Sequence, residues 1–348
     1  MASRLIFPLL LLVAMVCLPG CDTPASPQET VEPARTVPPS PIQRCMNLSN
    51  ALEAPNEGDW GYSVRAQDIL TIADAGFDTL RLPVKVSAHT GPGPDYKISE
   101  QLLARIDTLV GQALAADLNI ILDVHHFNEI YADPDGETPR LKAIWRQLGQ
   151  RYAGAPDHLI FELLNEPRDD LTVRRMDALN RELLALVRET NPQRWVILSS
   201  SGWGGLDAWR EADFPSELRV MSTFHYYEPY DFTHQGAVWL ESPPTYPGEW
   251  GDDPAEIAEI RAHFALARQK AISDGLPVFL GEFGTNGSIP IEQRTAWIDT
   301  VRRAAEGSGF SWCHWGFAAG LGAYDPEAEA WRPGMLEAFG LISERAAP

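Results

Sequence analysis

The feature that most limits the fold of this chain is a regular alternation of strand-like and helix-like segments. Eight short apolar runs recur along the sequence, and amphipathic stretches with apolar residues three and four positions apart lie between them. Parallel strands need helical crossovers, and a closed sheet leaves no unpaired strand edge. The pattern therefore predicts an α/β protein that folds as a single (β/α)8 TIM barrel.

The predicted strands and helices divide the chain evenly. The strands are expected at residues 44–48, 79–82, 120–124, 160–164, 195–198, 220–224, 278–280 and 310–314, and clear helical patterns cover 99–116, 172–190, 253–273 and 291–306. The main alternative is an open doubly wound sheet, but no glycine-rich phosphate loop follows the first strand. We therefore assign residues 42–348 to one barrel domain.

Polar side chains follow nearly every predicted strand. They are Arg81, His125, His126, Asn165, Glu166, His225, Tyr227 and Glu282, with Trp315 after the last strand. In a (β/α)8 barrel the carboxyl ends of all strands share one face, so residues far apart in sequence meet there. Glu166 and Glu282 are therefore expected to converge.

Two converging carboxylates are what hydrolysis of a glycosidic bond requires. One protonates the leaving oxygen, and the other attacks or stabilises the anomeric carbon. A single glutamate at a strand end is often an ion-pair partner, but Glu166 and Glu282 both follow buried apolar runs. Asp123, His125 and His126 are also metal-ligand types. The first predicted strand has no His-x-His pair, however, so we expect no metal and no cofactor.

Six ordered motifs resemble glycoside hydrolase family 5, the cellulase-like family. They are RLPV at Arg81, DVHH ending at His126, LLNEP around Glu166, HYY from His225, GEFG around Glu282 and WCHWGF around Trp315. The segments NALEAPNEGDWG, HYYEPYDFTHQGAVW and GLGAYD are similar to its thermophilic endoglucanase/mannanase branch. The resemblance covers residues 44–340, which is nearly all of the predicted domain.

The resemblance implies a retaining endo-β-1,4-glycanase in which Glu166 is the acid/base and Glu282 the nucleophile. Arg81, His125, Asn165, His225, Tyr227 and Trp315 would support the reaction, and Asn50, Glu53, His126, His234 and Trp239 would bind sugars. A low pKa is expected for Glu282 beside Arg81, and a raised pKa for Glu166. Relatives often have an acidic or polar residue where this chain has Gly316, so that sugar contact is either missing or supplied by Glu228 or Asp231.

Tryptophans in predicted loops suit a glycan cleft, because sugars pack their C–H faces on aromatic rings. Trp60, Trp203, Trp239 and Trp250 are expected on the catalytic face, and Trp145, Trp195 and Trp297 in the packed interior.

The N-terminus is typical of an exported lipoprotein. Residues 1–20 contain an apolar run that is too short to span a bilayer, and it ends in LPGC, which resembles a bacterial lipobox. Cys21 would carry the lipid and attach the protein to a bacterial membrane. Residues 21–41 are rich in proline and have no hydrophobic period, so they are predicted to form an extended tether.

Net charge narrows the range of possible binding partners, and cysteine content limits the possible disulfide bonds. The net charge of −20 argues against nucleic acid and anionic membrane surfaces, and is compatible with a neutral β-linked polysaccharide and a monomeric protein. Cys45 and Cys313 lie on the first and last predicted strands, which are neighbours in a closed barrel, so a disulfide is possible. Bonds between adjacent strands are often strained, and two buried free thiols are therefore expected. Glucan is the expected backbone and mannan the alternative. A glycan-binding lipoprotein on a degenerate barrel is the non-enzymatic alternative, and a two-domain periplasmic binding protein is disfavoured.

Overall fold

Eight parallel strands close into a barrel in chain order. The computed structural model describes residues 37–251 and 253–341. The strands are β1 (Arg44–Asn47), β2 (Thr79–Val84), β3 (Asn119–Val124), β4 (Leu159–Glu162), β5 (Val196–Leu198), β6 (Val220–His225), β7 (Val278–Phe283) and β8 (Ser311–His314). β1 pairs with both β2 and β8, which closes the sheet. The predicted (β/α)8 barrel is confirmed.

Helices connect the strands and pack around the sheet. They are α1 (Ala66–Asp74), α2 (Glu100–Ala115), α3 (Asn128–Ala132), α4 (Pro134–Arg151), α5 (Val173–Arg188), α6 (Leu206–Glu211), α7 (Tyr230–Thr233), α8 (Pro254–Asp274), α9 (Ile291–Ser308) and α10 (Met335–Ala338). A 3-10 turn covers Val86–His89, and a two-stranded ribbon, β9 (Tyr324–Asp325) and β10 (Ala330–Trp331), follows β8. Ser99 begins α2, because its hydroxyl accepts the Leu102 N–H at 3.2 Å.

The barrel interior has an apolar layer beneath a polar layer. The apolar layer contains Cys45, Ile121, Ile160, Ile197, Met221, Phe279 and Cys313. Side chains on a strand alternate between faces, so residues two positions further along point into the same interior. Those residues are Asn47, Asp123 and Glu162, and Arg81 of β2 lies beside them. The polar residues of the site therefore lie on an apolar floor.

Cys45 and Cys313 form a disulfide, so the expectation of two free thiols is wrong. The two residues are direct register partners in the parallel pair β1–β8, with their Cα atoms 4.1 Å apart. Both side chains point into the apolar layer, because equivalent positions of paired strands share a face. The bond links the first and last strands of the barrel.

The predicted signal peptide, Cys21 and the tether as far as residue 36 lie outside the described residues. Among the helices that the structure describes, none has both the length and the apolar character needed to cross a membrane.

Candidate active site

Arg81 lies at the centre of the polar layer and is fully buried. Its guanidinium donates two hydrogen bonds of 2.8 Å to Glu162 and one of 2.7 Å to Oε1 of Glu282. Its remaining partners are Oδ1 of Asn165 at 2.7 Å, Oδ1 of Asn47 at 3.0 Å and Oδ2 of Asp123 at 3.0 Å. Buried carboxylates are stable only when a cation and hydrogen bonds compensate them. A single guanidinium serves three of them here.

Glu282 is held from two sides near the end of β7. Arg81 binds Oε1, and the Tyr227 hydroxyl donates to Oε2 at 3.0 Å. The predicted support of Glu282 by Arg81 and Tyr227 therefore matches the geometry. Burial raises the pKa of Glu282 above its usual value, although His225 and Arg81 act in the opposite direction.

Glu166 follows β4 and faces His225. The Nδ1 atom of His225 lies 2.9 Å from Oε1 of Glu166 and 3.6 Å from Oε2 of Glu282. Burial opposes the ionised form of Glu166, but the hydrogen bond and positive charge of His225 outweigh it and lower the pKa of Glu166. Burial likewise disfavours the imidazolium form of His225, yet the two glutamates raise its pKa.

The expected division of pKa values is therefore wrong for the substrate-free protein. Arg81 was expected to give Glu282 a low pKa, but it is shared with Glu162 and Asp123. Glu166 was expected to have a raised pKa, but it has a direct partner in His225. The contact between His225 and Glu166 favours the imidazolium form of His225 and the ionised form of Glu166.

Asn165 and His125 connect Arg81 to the ring of Trp315. The Asn165 amide nitrogen lies 3.2 Å from Nε2 of His125, whose Nδ1 binds the Asp123 carboxylate. Burial lowers the pKa of His125 well below its usual value, which favours the neutral ring. It stacks on Trp315 with the ring planes 8° apart and the centroids 5.5 Å apart. His125, Asn165 and Trp315 thus surround the carboxylates as predicted from sequence.

The residues predicted to bind sugars in the loop after β1 have structural partners. Glu53 is fully buried, and its carboxylate accepts the backbone N–H groups of Asn50 and Ala51. Burial raises the pKa of Glu53 to about 7. The Glu53 carbonyl lies 3.2 Å from Nδ1 of His126, whose ring contacts Trp60 edge-on. Glu53 therefore holds the loop that carries Asn50, and direct sugar contacts by Asn50, Glu53 and His126 stay predictions.

An aromatic wall follows β6. The His234 ring stacks on Tyr230 with centroids 4.1 Å apart and meets Tyr227 and Trp239 edge-on. Trp239 is 52% exposed, and Trp60 and Trp203 are exposed to a similar degree. These rings offer free faces to a sugar. Trp250 lies in the connection between β6 and α8, but it is buried against Phe232 and offers no free face. Trp145 and Trp297 are buried as predicted, and Trp195 packs against the apolar layer.

Gly316 leaves no room for a side chain. A Cβ atom there would lie 1.8 Å from the Ser49 hydroxyl oxygen and 2.8 Å from the Ser49 Cβ. Ser49 therefore fills the space that a side chain at position 316 would occupy. Glu228, one of the two suggested substitutes, accepts the Tyr230 N–H at 3.0 Å.

A cavity of about 680 Å³ is lined by His225 and Tyr227, together with Leu206, Glu259 and His263. Its lining does not include Glu166 or Glu282, so it adjoins the site through His225 and Tyr227. Among the described residues, one group of potential metal ligands is close enough to bind an ion: Glu166, His225 and Glu282, with ligand atoms within 4.8 Å of one another. Two carboxylates and an imidazole are also what proton transfer to a sugar oxygen needs.

Sequence reasoning missed several supporting residues. Glu162 lies inside the apolar run LIFELL, and Asp123 lies inside β3. A charged residue within a buried strand must have a partner of opposite charge, so the run itself contained the signal for an ion pair with Arg81. Arg168, which contacts Glu166 and Trp203, had no such signal because it lies in a loop.

The fold and the site define a class of protein: a (β/α)8 barrel with paired glutamates at its mouth, as glycoside hydrolysis requires. A family model described as cellulase (glycosyl hydrolase family 5) matches residues 43–319. The chain therefore belongs to glycosyl hydrolase family 5.

Curated relatives and solved structures agree with this membership. Endoglucanase H of Acetivibrio thermocellus is 30% identical over 292 residues, which are 84% of this chain and 31% of that protein. Cellulase/esterase CelE of the same organism is 28% identical, and 37% of its length is covered. The chain thus spans about a third of the length of these relatives.

The solved structures match over most of their length. A hyperthermophilic endo-β-1,4-glucanase in complex with substrate has a TM-score of 0.84 and 39% identity, over 86% of this chain and 97% of that chain. Thermotoga maritima Cel5A in complex with cellobiose has a TM-score of 0.83 and 34% identity, over the same shares. Cel5A was also solved with mannotriose.

Proposed function

We propose that this protein is a retaining endo-β-1,4-glucanase. The observation that carries the proposal is the pair Glu166 and Glu282, whose nearest ligand atoms lie within 4.8 Å of each other and of His225. Carboxyl groups of retaining glycosidases are about 5 to 5.5 Å apart, whereas inverting pairs are about 6.5 to 9.5 Å apart to admit a water. The endoglucanase names of the relatives support the glucan backbone.

In the first step, Glu282 attacks the anomeric carbon while Glu166 protonates the departing oxygen, and a glycosyl-enzyme ester forms. Arg81 and Tyr227 hold one Glu282 oxygen each, so the carboxylate is oriented before attack. Nδ1 of His225 lies 2.9 Å from Oε1 of Glu166, so a proton can pass between the two groups. A glycan that excludes water disfavours a charged His225–Glu166 pair, and this favours the protonated form of Glu166 that the first step needs.

In the second step, Glu166 takes a proton from water, which attacks the same carbon and releases Glu282. The anomeric configuration of the product equals that of the substrate. Proton NMR of the first product formed from a β-linked oligosaccharide tests this: a β-anomer supports double displacement, and an α-anomer contradicts it.

Mannan is a second candidate backbone. The structurally similar Cel5A of Thermotoga maritima was solved with both cellobiose and mannotriose. Glucose and mannose differ at the 2-hydroxyl, and the Asn165 amide, held by Arg81 and facing His125, is the group proposed to meet it.

A panel of carboxymethyl-cellulose, mixed-linkage glucan, glucomannan, galactomannan and xylan, assayed with the wild type and Glu166→Gln, tests the substrate and the acid/base role together. Activity on the glucans that Glu166→Gln loses supports the proposal. Activity confined to galactomannan would favour a mannanase. If the wild type binds but cleaves none of them, the glycan-binding alternative replaces the enzyme.

We also propose that the protein is exported and anchored to a bacterial membrane through lipid on Cys21. LPGC before Asp22 supports this. The wild type should stay with membranes after a carbonate wash, and Cys21→Ala should be released. Release of both proteins would contradict the anchor.

A further inference from the structure

We propose that Arg168 is a positioning residue that joins the acid/base Glu166 and the aromatic ring of Trp203 in one rigid unit. The inference rests on the proposed function of Glu166. It adds a residue outside the carboxylate centre on which placement of the proton donor depends.

The guanidinium of Arg168 lies between two aromatic rings. It is 4.1 Å from the ring centroid of Tyr131 and 3.8 Å from that of Trp203. Its side chain is only 13% exposed. A planar guanidinium stacked on aromatic faces gains cation–π attraction that a lysine ammonium cannot reproduce with the same geometry.

The same cluster binds three successive backbone carbonyls. The Tyr131 hydroxyl donates to the Asn165 carbonyl at 2.6 Å, and Nη1 of Arg168 donates to the Glu166 carbonyl at 3.2 Å. The backbone N–H of Trp203 donates to the Pro167 carbonyl at 3.1 Å. The backbone on both sides of Glu166 is thus held by the stacked residues.

Glu166 needs this support because its backbone is left-handed, with φ of 43°. A non-glycine residue in this region is strained and persists only where its surroundings fix it. Arg168 also donates to Oδ1 of Asn128 at 2.9 Å, which ties the cluster to the start of α3.

Trp203 makes the unit sensitive to the glycan. The residue is 57% exposed and lies in a loop where Gly202, Trp203 and Gly204 all have positive φ. One face of the ring contacts Arg168, so a sugar stacked on the free face would hold the Trp203 ring against the Arg168 guanidinium. Sugar contact on the Glu166 side of the site would then stabilise the proton donor.

Dependence on the leaving group separates this role from a general structural one. Bond cleavage in an oligosaccharide needs full protonation by Glu166, whereas 2,4-dinitrophenolate leaves without it. We expect Arg168→Met to lower kcat/KM on cellotetraose by about 100-fold, within the range of general-acid contributions and of small misplacements. On 2,4-dinitrophenyl β-cellobioside, the expected fall in kcat/KM is below about threefold. The comparison uses kcat/KM because it reports the formation of the glycosyl-enzyme, whereas kcat also contains the second step, in which Glu166 acts as the base. Arg168→Lys should behave like Arg168→Met. A lysine loses the guanidinium stack on Tyr131 and Trp203, and also the two hydrogen bonds that the guanidinium donates to Glu166 and Asn128.

The control is Arg175→Met, an exposed arginine on α5 that binds Asp135. It should leave both rates at the wild-type value. Circular dichroism and thermal unfolding confirm that each variant is folded. Equal falls on both substrates, or no fall on cellotetraose, would overturn the role of Arg168.

A crystal structure of Arg168→Met provides a readout that needs no turnover. Glu166 should move out of hydrogen-bond distance of His225, and the Trp203 loop should shift. An unchanged Glu166 and an unchanged loop would overturn the proposal. A wild type that cleaves neither substrate would instead contradict the proposed function, and the crystal structure would still decide the positioning role.

Discussion

At the scale of single residues, Arg81 determines how the carboxylates share charge. It binds Glu282 and Glu162 directly, and it also holds Asn165, the residue before Glu166. A change at Arg81 therefore reaches the nucleophile and the neighbour of the acid/base at once.

Arg81→Lys should be strongly destabilising and nearly inactive. Lysine keeps the charge but cannot satisfy so many acceptors, and breaking a buried ion pair costs about 3 to 5 kcal/mol. Urea unfolding and kcat on a β-glucan measure the two effects. Arg303→Lys, an exposed position on α9 paired with Asp299, is the control and should change neither. Wild-type stability in Arg81→Lys would refute this view of the polar layer.

Glu53 gives a prediction for the pH dependence of stability. Burial raises its folded-state pKa from 4.5 to about 7, so the neutral carboxyl contributes stability that is complete below pH 4.5 and is lost as the pH rises through 7. Glu53→Gln does not titrate. Its free energy of unfolding relative to wild type should therefore improve by about 3 kcal/mol between about pH 4 and about pH 8. Chemical denaturation at both pH values measures this, and a constant difference would contradict the raised pKa.

The sequence was sufficient to predict the site residues that have a chemically suitable side chain and lie at or near the carboxyl end of a strand. Glu166, Glu282, His225 and Tyr227 follow strands or end them, so a barrel brings them together. It was not sufficient for pKa values, because these depend on how one cation is divided among partners. Arg168 could not be predicted either, since its stacking depends on the path of two separate loops.

At the scale of elements, the loop after β8 packs closely against the end of β1 and the loop that follows it. Gly316 lies against Ser49, and the Phe317 N–H donates to the Asn47 carbonyl at 2.9 Å. The periodicity of apolar residues predicted the eight barrel strands, but not the ribbon of β9 and β10, and periodicity carries no information on such loop contacts.

Gly316→Ala should lower the free energy of unfolding by about 1 to 3 kcal/mol, the usual cost of overpacking. The new methyl group would clash with Ser49, so Ser49→Gly combined with Gly316→Ala should recover most of the loss. Gly111→Ala in α2 is the control, because a methyl group there meets nothing within 4 Å. Thermal unfolding compares the variants, and a Gly316→Ala protein as stable as wild type would contradict this packing.

At the scale of the whole molecule, the Cys45–Cys313 disulfide covalently links β1 and β8, the strands whose pairing closes the barrel. It joins residues 268 positions apart, so it restricts almost the whole unfolded chain. The sequence showed that β1 and β8 would be neighbours but not that the two cysteines share a register. That register follows from the packing of all eight strands.

Cys45→Ala with Cys313→Ala should lower the free energy of unfolding by up to about 5 kcal/mol, because long loops lose the most entropy on cross-linking. Peptide mapping without reductant should find the two cysteines in one linked peptide. Activity of the folded variant should match the wild type, since the bond lies in the apolar layer below the site. Two free thiols in the mapped protein would contradict the assignment.

The most direct test of the account is to trap the nucleophile. A 2-deoxy-2-fluoro-β-cellobioside with a good leaving group should label the enzyme once, and mass spectrometry of the peptides should place the sugar on Glu282. Label on Glu166, or rapid turnover of an unlabelled enzyme with inversion at the anomeric carbon, would contradict the roles assigned to the two glutamates.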